Sequence, residues 1–130
     1  MNIIVFGSEG FIGKHLVSYF KQQNHFVVGC DVIEHIIPSY DYFHYEAGTD
    51  FFEKLFENSN FDFLINAAGN GNVNKSVIEP KSDYEANVTL TFQILEAIRT
   101  HKPDCKYMHI SSAAVYGNPI SIPIPEHASI

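Results

Sequence analysis

The chain has 130 residues, with 8 Lys and Arg against 15 Asp and Glu, a formal net charge of -7 and 45% hydrophobic residues. This length suits one domain with one core and leaves no room for a second domain of similar size. The basic residues are scattered, so we expect no nucleic-acid partner. No apolar run approaches the roughly 18 residues that a membrane span needs, and no basic leader precedes the first one, so we expect a cytoplasmic protein without membrane contact.

The cysteines and histidines do not predict a metal site. Cys30 and Cys105 are far apart in sequence and lie near two predicted strands, where a small thiol commonly packs in the core. The seven histidines show no spacing typical of metal ligands on one helix. We therefore expect free thiols in the core and no bound metal.

Strands and helices alternate along the chain. A β-branched run predicts a strand over Asn2–Phe6, and apolar residues at helical spacing predict a helix from Phe11 to about Gln22. Similar patterns predict strands over 26–30, 42–45, 61–66 and 107–111, and helices over 50–57 and from Pro80 to about Thr100. Gly117 and three later prolines then predict an extended tail over 118–130, after a domain over 1–117.

The longest predicted helix carries many apolar residues. One stripe, which we expect to cover a sheet, is formed by Tyr84, Val88, Phe92, Leu95 and Ile98. It is widened by Ala86, Leu90, Ile94 and Ala97.

Strict alternation of strand and helix predicts an α/β fold of the Rossmann type. Right-handed crossovers give a doubly wound parallel sheet of five strands in the order 3-2-1-4-5. Ligands of such sheets bind beyond the carboxyl ends of the strands, here between the first and fourth. Gly7, Asp31, Ala67 and Ser111 fall at that edge of the predicted sheet.

The turn after the first strand has the sequence GSEGFIG, which places glycines at 7, 10 and 13. Glycine permits a tight turn, lets backbone N–H groups approach a pyrophosphate, and lets the helix pack closely on the strand. The strand before this motif and the amphipathic helix after it therefore predict dinucleotide binding.

Asp31 lies 18 positions after Gly13, near the offset at which an acidic residue binds the adenosine ribose of a dinucleotide. A carboxylate there repels the 2′-phosphate of NADP. No Lys or Arg lies between Lys21 and Lys54 that could bind that phosphate. The sequence therefore favours NAD over NADP as the cofactor.

Several segments together resemble the extended short-chain dehydrogenase/reductase family, in particular its NAD-dependent nucleotide-sugar epimerases and dehydratases. The segments are 10–13, 62–69, Ser76 and Val77 with Pro80, Asn87 with Val88, and 111–117. Their order and spacing match across the whole chain, which covers less than half of a typical member.

The resemblance implies a role for each matching residue. The residues that it implies for cofactor binding are Gly7, Gly10, Phe11, Ile12, Gly13, Asp31, Ala67, Ala68, Gly69, Asn87 and Ser111. Ser112 matches the catalytic serine, which hydrogen-bonds the sugar hydroxyl or ketone that exchanges hydride with NAD. A nucleotide sugar is then the expected partner of the full-length enzyme.

Three residues depart from the family's pattern. Glu9 stands where a small neutral residue is usual, and we expect its carboxylate to weaken pyrophosphate binding unless it points to solvent. Leu90 replaces a glycine. Ala114 lacks the hydroxyl or acid that many members have two residues after the serine, which makes dehydration the weaker option.

The family's base, a tyrosine followed by a lysine four positions later, has no counterpart among the seven tyrosines of this chain. We therefore expect an incomplete domain, lacking its final strands and substrate lobe and inactive alone. Its exposed sheet edge predicts low stability, a homo-oligomer or other self-association. One alternative is a non-catalytic dinucleotide-binding or interaction module completed by a partner chain, and another is a remnant that binds nothing.

Overall fold

The computed structural model describes residues 1–34, 40–46, 50–57 and 59–129. Five parallel strands form one sheet in the order β3-β2-β1-β4-β5, which confirms the predicted topology. The strands are β1 Asn2–Phe6, β2 Phe26–Asp31, β3 Asp41–His44, β4 Phe63–Asn66 and β5 Lys106–His109. The helices are α1 Phe11–Gln22, α2 Asp50–Glu57, α3 Val73–Ile78, α4 Pro80–Tyr84 and α5 Leu90–His101, with a π-helical segment over Glu85–Thr89 and a 3-10 helix over Ala113–Tyr116.

The core has two layers because side chains alternate between the faces of each strand. On one face of β1, Ile4 and Phe6 belong to a cluster that includes buried residues of α2 and α5. On the other face, Ile3 and Val5 pack with Val17 of α1. Both faces of the central strand are thus covered, which explains its continuous apolar sequence.

The predicted apolar stripe of the longest helix is partly right, because Ile98 and three of the residues expected to widen the stripe are buried, whereas the rest of the central stripe is not. Tyr84, Val88, Phe92 and Leu95 are exposed, and the buried residues of α5 are Leu90, Ile94, Ala97 and Ile98. Both sets have helical spacing, so periodicity alone could not select the face that meets the sheet. The π-helical segment also adds a residue to one turn and shifts the register between α4 and α5.

Other differences concern element ends. Asp31 is the last residue of β2 and does not lie beyond it, and β4 begins at Phe63. Phe61 is buried but lies outside the strand. Its ring makes an edge-to-face contact with Phe56, with 6.1 Å between the ring centroids. The six-residue helix α3 was not predicted.

Both cysteines, Cys30 and Cys105, are free and buried, as predicted. Within the described ranges, no three His, Cys, Asp or Glu side chains are grouped so as to hold a metal ion. No helix in the described part of the chain is long and apolar enough to cross a membrane.

Candidate functional site

A cavity of about 630 Å³ opens at the carboxyl ends of β1, β2 and β4. It lies at the point where strand order reverses, which is where ligands of doubly wound sheets bind. The predicted cofactor residues that line it are Gly7, Gly10, Asp31, Ala67, Ala68 and Gly69. The fold therefore brings three separate segments of the sequence to one site.

The turn between β1 and α1 requires glycine at two positions. Gly7 has a φ of +75°, and a Cβ there would lie 2.6 Å from the backbone nitrogen of Ala68. A Cβ on Gly13 would lie 1.9 Å from the carbonyl oxygen of Gly7. Side chains are thus excluded where the turn meets the start of α1 and the loop after β4.

The amino terminus of α1 is suited to an anion. Gly10 is its N-cap residue, no side chain in the described part of the protein caps the helix, and its first turn has no acidic residue. The backbone N–H groups of the first turn have no partner within the helix, and the helix dipole adds partial positive charge. This end of the cavity can therefore bind a phosphate group.

The Asp31 side chain is held at the end of β2 by backbone groups. Its Oδ2 accepts a hydrogen bond from the backbone N–H of Glu9 at 2.9 Å, and its Oδ1 accepts one from that of Val32 at 2.8 Å. Each carboxylate oxygen can accept more than one hydrogen bond, so Asp31 retains the capacity to accept from a ligand hydroxyl.

Glu9 lines the cavity and does not point to solvent. Its side chain is 9% exposed, its Oε2 lies 3.3 Å from Nζ of Lys14, and its Oε1 accepts a 2.6 Å hydrogen bond from the hydroxyl of Tyr40. Burial and this hydrogen bond raise the pKa of Tyr40 to about 12. We expected Glu9 to be harmless to pyrophosphate binding if it pointed to solvent. Its carboxylate instead contacts Lys14 and Tyr40 inside the protein.

The loop after β4 is held by two asparagines. Oδ1 of the buried Asn66 accepts a hydrogen bond from the backbone N–H of Ala68 at 3.1 Å. Oδ1 of Asn87 accepts one from the backbone N–H of Asn70 at 3.0 Å, and a Cβ on Gly69 would lie 2.6 Å from that oxygen. Asn66 was not predicted as a site residue, although a polar residue at the end of an apolar strand was a signal for it.

The other predicted site residues do not line the cavity. Gly13 packs against Gly7 and Asn87 packs against Gly69, and both of these glycines line the cavity. Phe11 and Ile12 are 81% and 47% exposed. Ser111 and Ser112 are exposed beyond β5. The Oγ of Ser112 accepts a hydrogen bond from the backbone N–H of Ala114 at 3.2 Å and caps the 3-10 helix.

The far side of the cavity includes residues that were not predicted as site residues. The hydroxyl of Tyr45 donates to Oε1 of Gln93 at 3.0 Å, and both line the cavity. Cys30 also lines it, but burial raises the pKa of its thiol and keeps it neutral. Cys30 is therefore a packing residue and not a nucleophile.

A parallel sheet of this order, with a glycine turn beside a cavity at its switch point, defines a dinucleotide-binding fold. The sequence profile of the NAD dependent epimerase/dehydratase family matches residues 3–130. The chain belongs to this family.

Relatives and solved structures agree with this assignment. The chain is 31% identical to a UDP-glucose 4-epimerase of Halalkalibacterium halodurans over 97% of its own length and 39% of that protein. It is 32% identical to a bifunctional UDP-glucose and UDP-xylose 4-epimerase of Arabidopsis thaliana, over 96% and 40%. The UDP-glucose 4-epimerase of Bifidobacterium longum, solved with NAD+ and UDP, superposes with a TM-score of 0.81 at 26% identity, over 99% and 42%. The chain thus spans about two fifths of these relatives.

Proposed function

We propose that this chain binds NAD in the cavity and is the NAD-binding part of a nucleotide-sugar epimerase or a related oxidoreductase. One observation carries the proposal: the glycine turn and the Asp31 carboxylate lie on one cavity, joined by the hydrogen bond from Glu9 N–H to Oδ2 of Asp31. A dinucleotide needs an anion site close to a hydroxyl acceptor, and this arrangement supports both roles.

The described residues suit the chemistry of NAD. Backbone N–H groups at the start of α1 would bind the pyrophosphate, and Asp31 would accept from the hydroxyls of the adenosine ribose. The backbone of 67–69 would line the middle of the cofactor, held there by Asn66 and Asn87. When bound, NAD supplies a hydride acceptor.

We assign the proposed reaction to a protein with the full length of the relatives, of which this chain spans about two fifths. Ser112, exposed beyond β5, would donate a hydrogen bond to the sugar oxygen at the carbon that is oxidised and reduced. None of the seven tyrosines is followed by a lysine four residues later, so we expect the chain of 130 residues alone not to interconvert nucleotide sugars.

A partner on the sheet edge is the second part of the proposal. β5 lies at the edge of the sheet, with Met108 45% exposed. An open edge strand can pair with a second copy of this chain or with another polypeptide that completes a non-catalytic module. Light scattering during gel filtration tests self-association: a concentration-dependent dimer or larger species supports it, and a monomer at every concentration contradicts it.

Calorimetric titration with NAD and NADP tests cofactor binding. We expect saturable binding of one NAD per chain and weaker binding of NADP. Replacing Asp31 by Ala should reduce the preference for NAD, because it removes the carboxylate that accepts from ribose hydroxyls and repels a 2′-phosphate. A folded wild-type chain that binds neither nucleotide would contradict the proposal.

A further inference from the structure

The Glu9 carboxylate lies at the Asp31 end of the cavity. The backbone N–H of Glu9 donates to Oδ2 of Asp31 at 2.9 Å, and both residues line the cavity. Because the Glu9 side chain is only 9% exposed, nearly all of it is covered by protein atoms. A group bound against Asp31 therefore lies near a second carboxylate, which is held in the wall of the cavity.

Among the described residues, Tyr40 and Lys14 hold the Glu9 carboxylate in place. The hydroxyl of Tyr40 donates to its Oε1 at 2.6 Å, and Nζ of Lys14 lies 3.3 Å from its Oε2. Tyr40 is itself fixed, since its hydroxyl lies 3.2 Å from Oγ of Ser8 and a Cβ on Gly29 would be 2.3 Å from its ring. Moving the carboxylate away would break a short hydrogen bond to a charged group, which is among the stronger kinds.

The phenols nearby report the negative charge at this place. The pKa of Tyr40 is raised by burial, by its hydrogen bond to Glu9 and by the charges of Glu9 and Asp31. The pKa of Tyr42 is also raised, by burial first and then by charges that include Asp31 and Glu9. Lys14 offsets this charge only in part, because its side chain is 59% exposed and screened by water.

We propose that Glu9 acts together with Asp31 to select NAD over NADP, by adding a second negative charge beside the place where the 2′-phosphate of NADP would lie. This inference rests on the proposed binding of NAD. A ribose hydroxyl can donate to a carboxylate, whereas a 2′-phosphate carries nearly two negative charges at neutral pH and is repelled by both side chains. The role of Glu9 is thus to select the cofactor, and its effect is not limited to weakening pyrophosphate binding.

The test measures dissociation constants for NAD and NADP by calorimetry, in the wild-type chain and in four variants. Glu9→Gln and Glu9→Ser remove the charge, Glu9→Asp keeps it, and Glu57→Gln makes the same change of net charge at the exposed last residue of α2. We expect the two charge-removing variants to lose about tenfold of the preference for NAD, through tighter NADP binding. Glu9→Asp and Glu57→Gln should keep the wild-type preference.

The outcomes separate the two proposals. If Glu9→Gln and Glu9→Ser bind NAD but keep the wild-type preference, the role of Glu9 is wrong and NAD binding stands. If the wild-type chain binds neither nucleotide, the proposed function fails and the role of Glu9 fails with it. Should both substitutions unfold the chain, Lys14→Gln decides: it removes the cation that partly offsets the Glu9 charge, so the preference for NAD should increase, and an unchanged preference contradicts the role of Glu9.

Discussion

The Oδ1 atom of Asn87 accepts a 3.0 Å hydrogen bond from the backbone N–H of Asn70, and the Nδ2 of Asn87 donates to the carbonyl oxygen of Asp83 at 3.0 Å. One side chain in the π-helical segment therefore ties the loop after β4 to the preceding helical turn. This loop forms the wall of the cavity through Ala67, Ala68 and Gly69. Asn87 supports the site without lining it.

Replacing Asn87 by Ala should loosen this wall. The substitution leaves a part-buried backbone N–H of Asn70 without its acceptor, so we expect the free energy of unfolding to fall by about 1–3 kcal/mol. NAD affinity should fall as well. Urea denaturation measures the first effect and calorimetry the second. Asn74→Ala, at an exposed position of α3, is the control and should change neither quantity.

Gly13 and Gly71 provide a matched pair for the glycine turn. A Cβ on Gly13 would lie 1.9 Å from the carbonyl oxygen of Gly7, whereas a Cβ on Gly71 would have no atom of the described residues within 4 Å. Gly13→Ala should therefore lower the free energy of unfolding by about 1–3 kcal/mol or more and weaken NAD binding. Gly71→Ala should be tolerated. Equal stability of the two variants in urea would show that the turn is not packed as described.

The face of α5 can be tested with Ile94 and Phe92. Ile94 is fully buried against the sheet, whereas Phe92 is 67% exposed. Ile94→Ala should lower the free energy of unfolding by about 2–5 kcal/mol, because it leaves a cavity in the core. Phe92→Ala should change it by less than about 0.5 kcal/mol. A larger effect at Phe92 than at Ile94, measured by urea denaturation, would show that the side of the helix with Phe92 faces the sheet.

Tyr40 predicts how stability depends on alkaline pH. Its pKa is raised to about 12 in the folded chain, by burial first and by its hydrogen bond to Glu9, from an ordinary value of 10.0. A raised pKa means that the stability from the neutral phenol is fully present below pH 10 and is lost as the pH rises toward 12. Tyr40→Phe should therefore flatten the fall in the free energy of unfolding over this range. An unchanged slope in pH-dependent urea denaturation would refute the assignment.

The sequence was sufficient for the sheet and for the place of the cavity. Strand order follows from strict alternation of strands and helices, and the Gly7 turn and Asp31 are fixed by local spacing along β1, α1 and β2. These features need no knowledge of long-range contacts, which is why periodicity and motif spacing predicted them.

Features that depend on contacts between distant residues could not be predicted in this way. Leu90 and Phe92 are both apolar and both on helical stripes, and packing against the sheet selects Leu90. The direction of the Glu9 side chain depends on Tyr40, which is 31 positions away in sequence. We expected Glu9 to harm the site unless it faced solvent, because local sequence gives no information about its contact with Tyr40.

The most direct test of the central claim is an NMR titration of the isotope-labelled chain with NAD, followed through its backbone amide signals. We expect saturable shifts concentrated at Gly7, Glu9, Gly10, Asp31 and Ala68, which lie around the cavity. Amides on the exposed side of α5, such as Phe92, should not shift. A folded spectrum that does not respond to NAD, or shifts that avoid the cavity, would contradict NAD binding at this site.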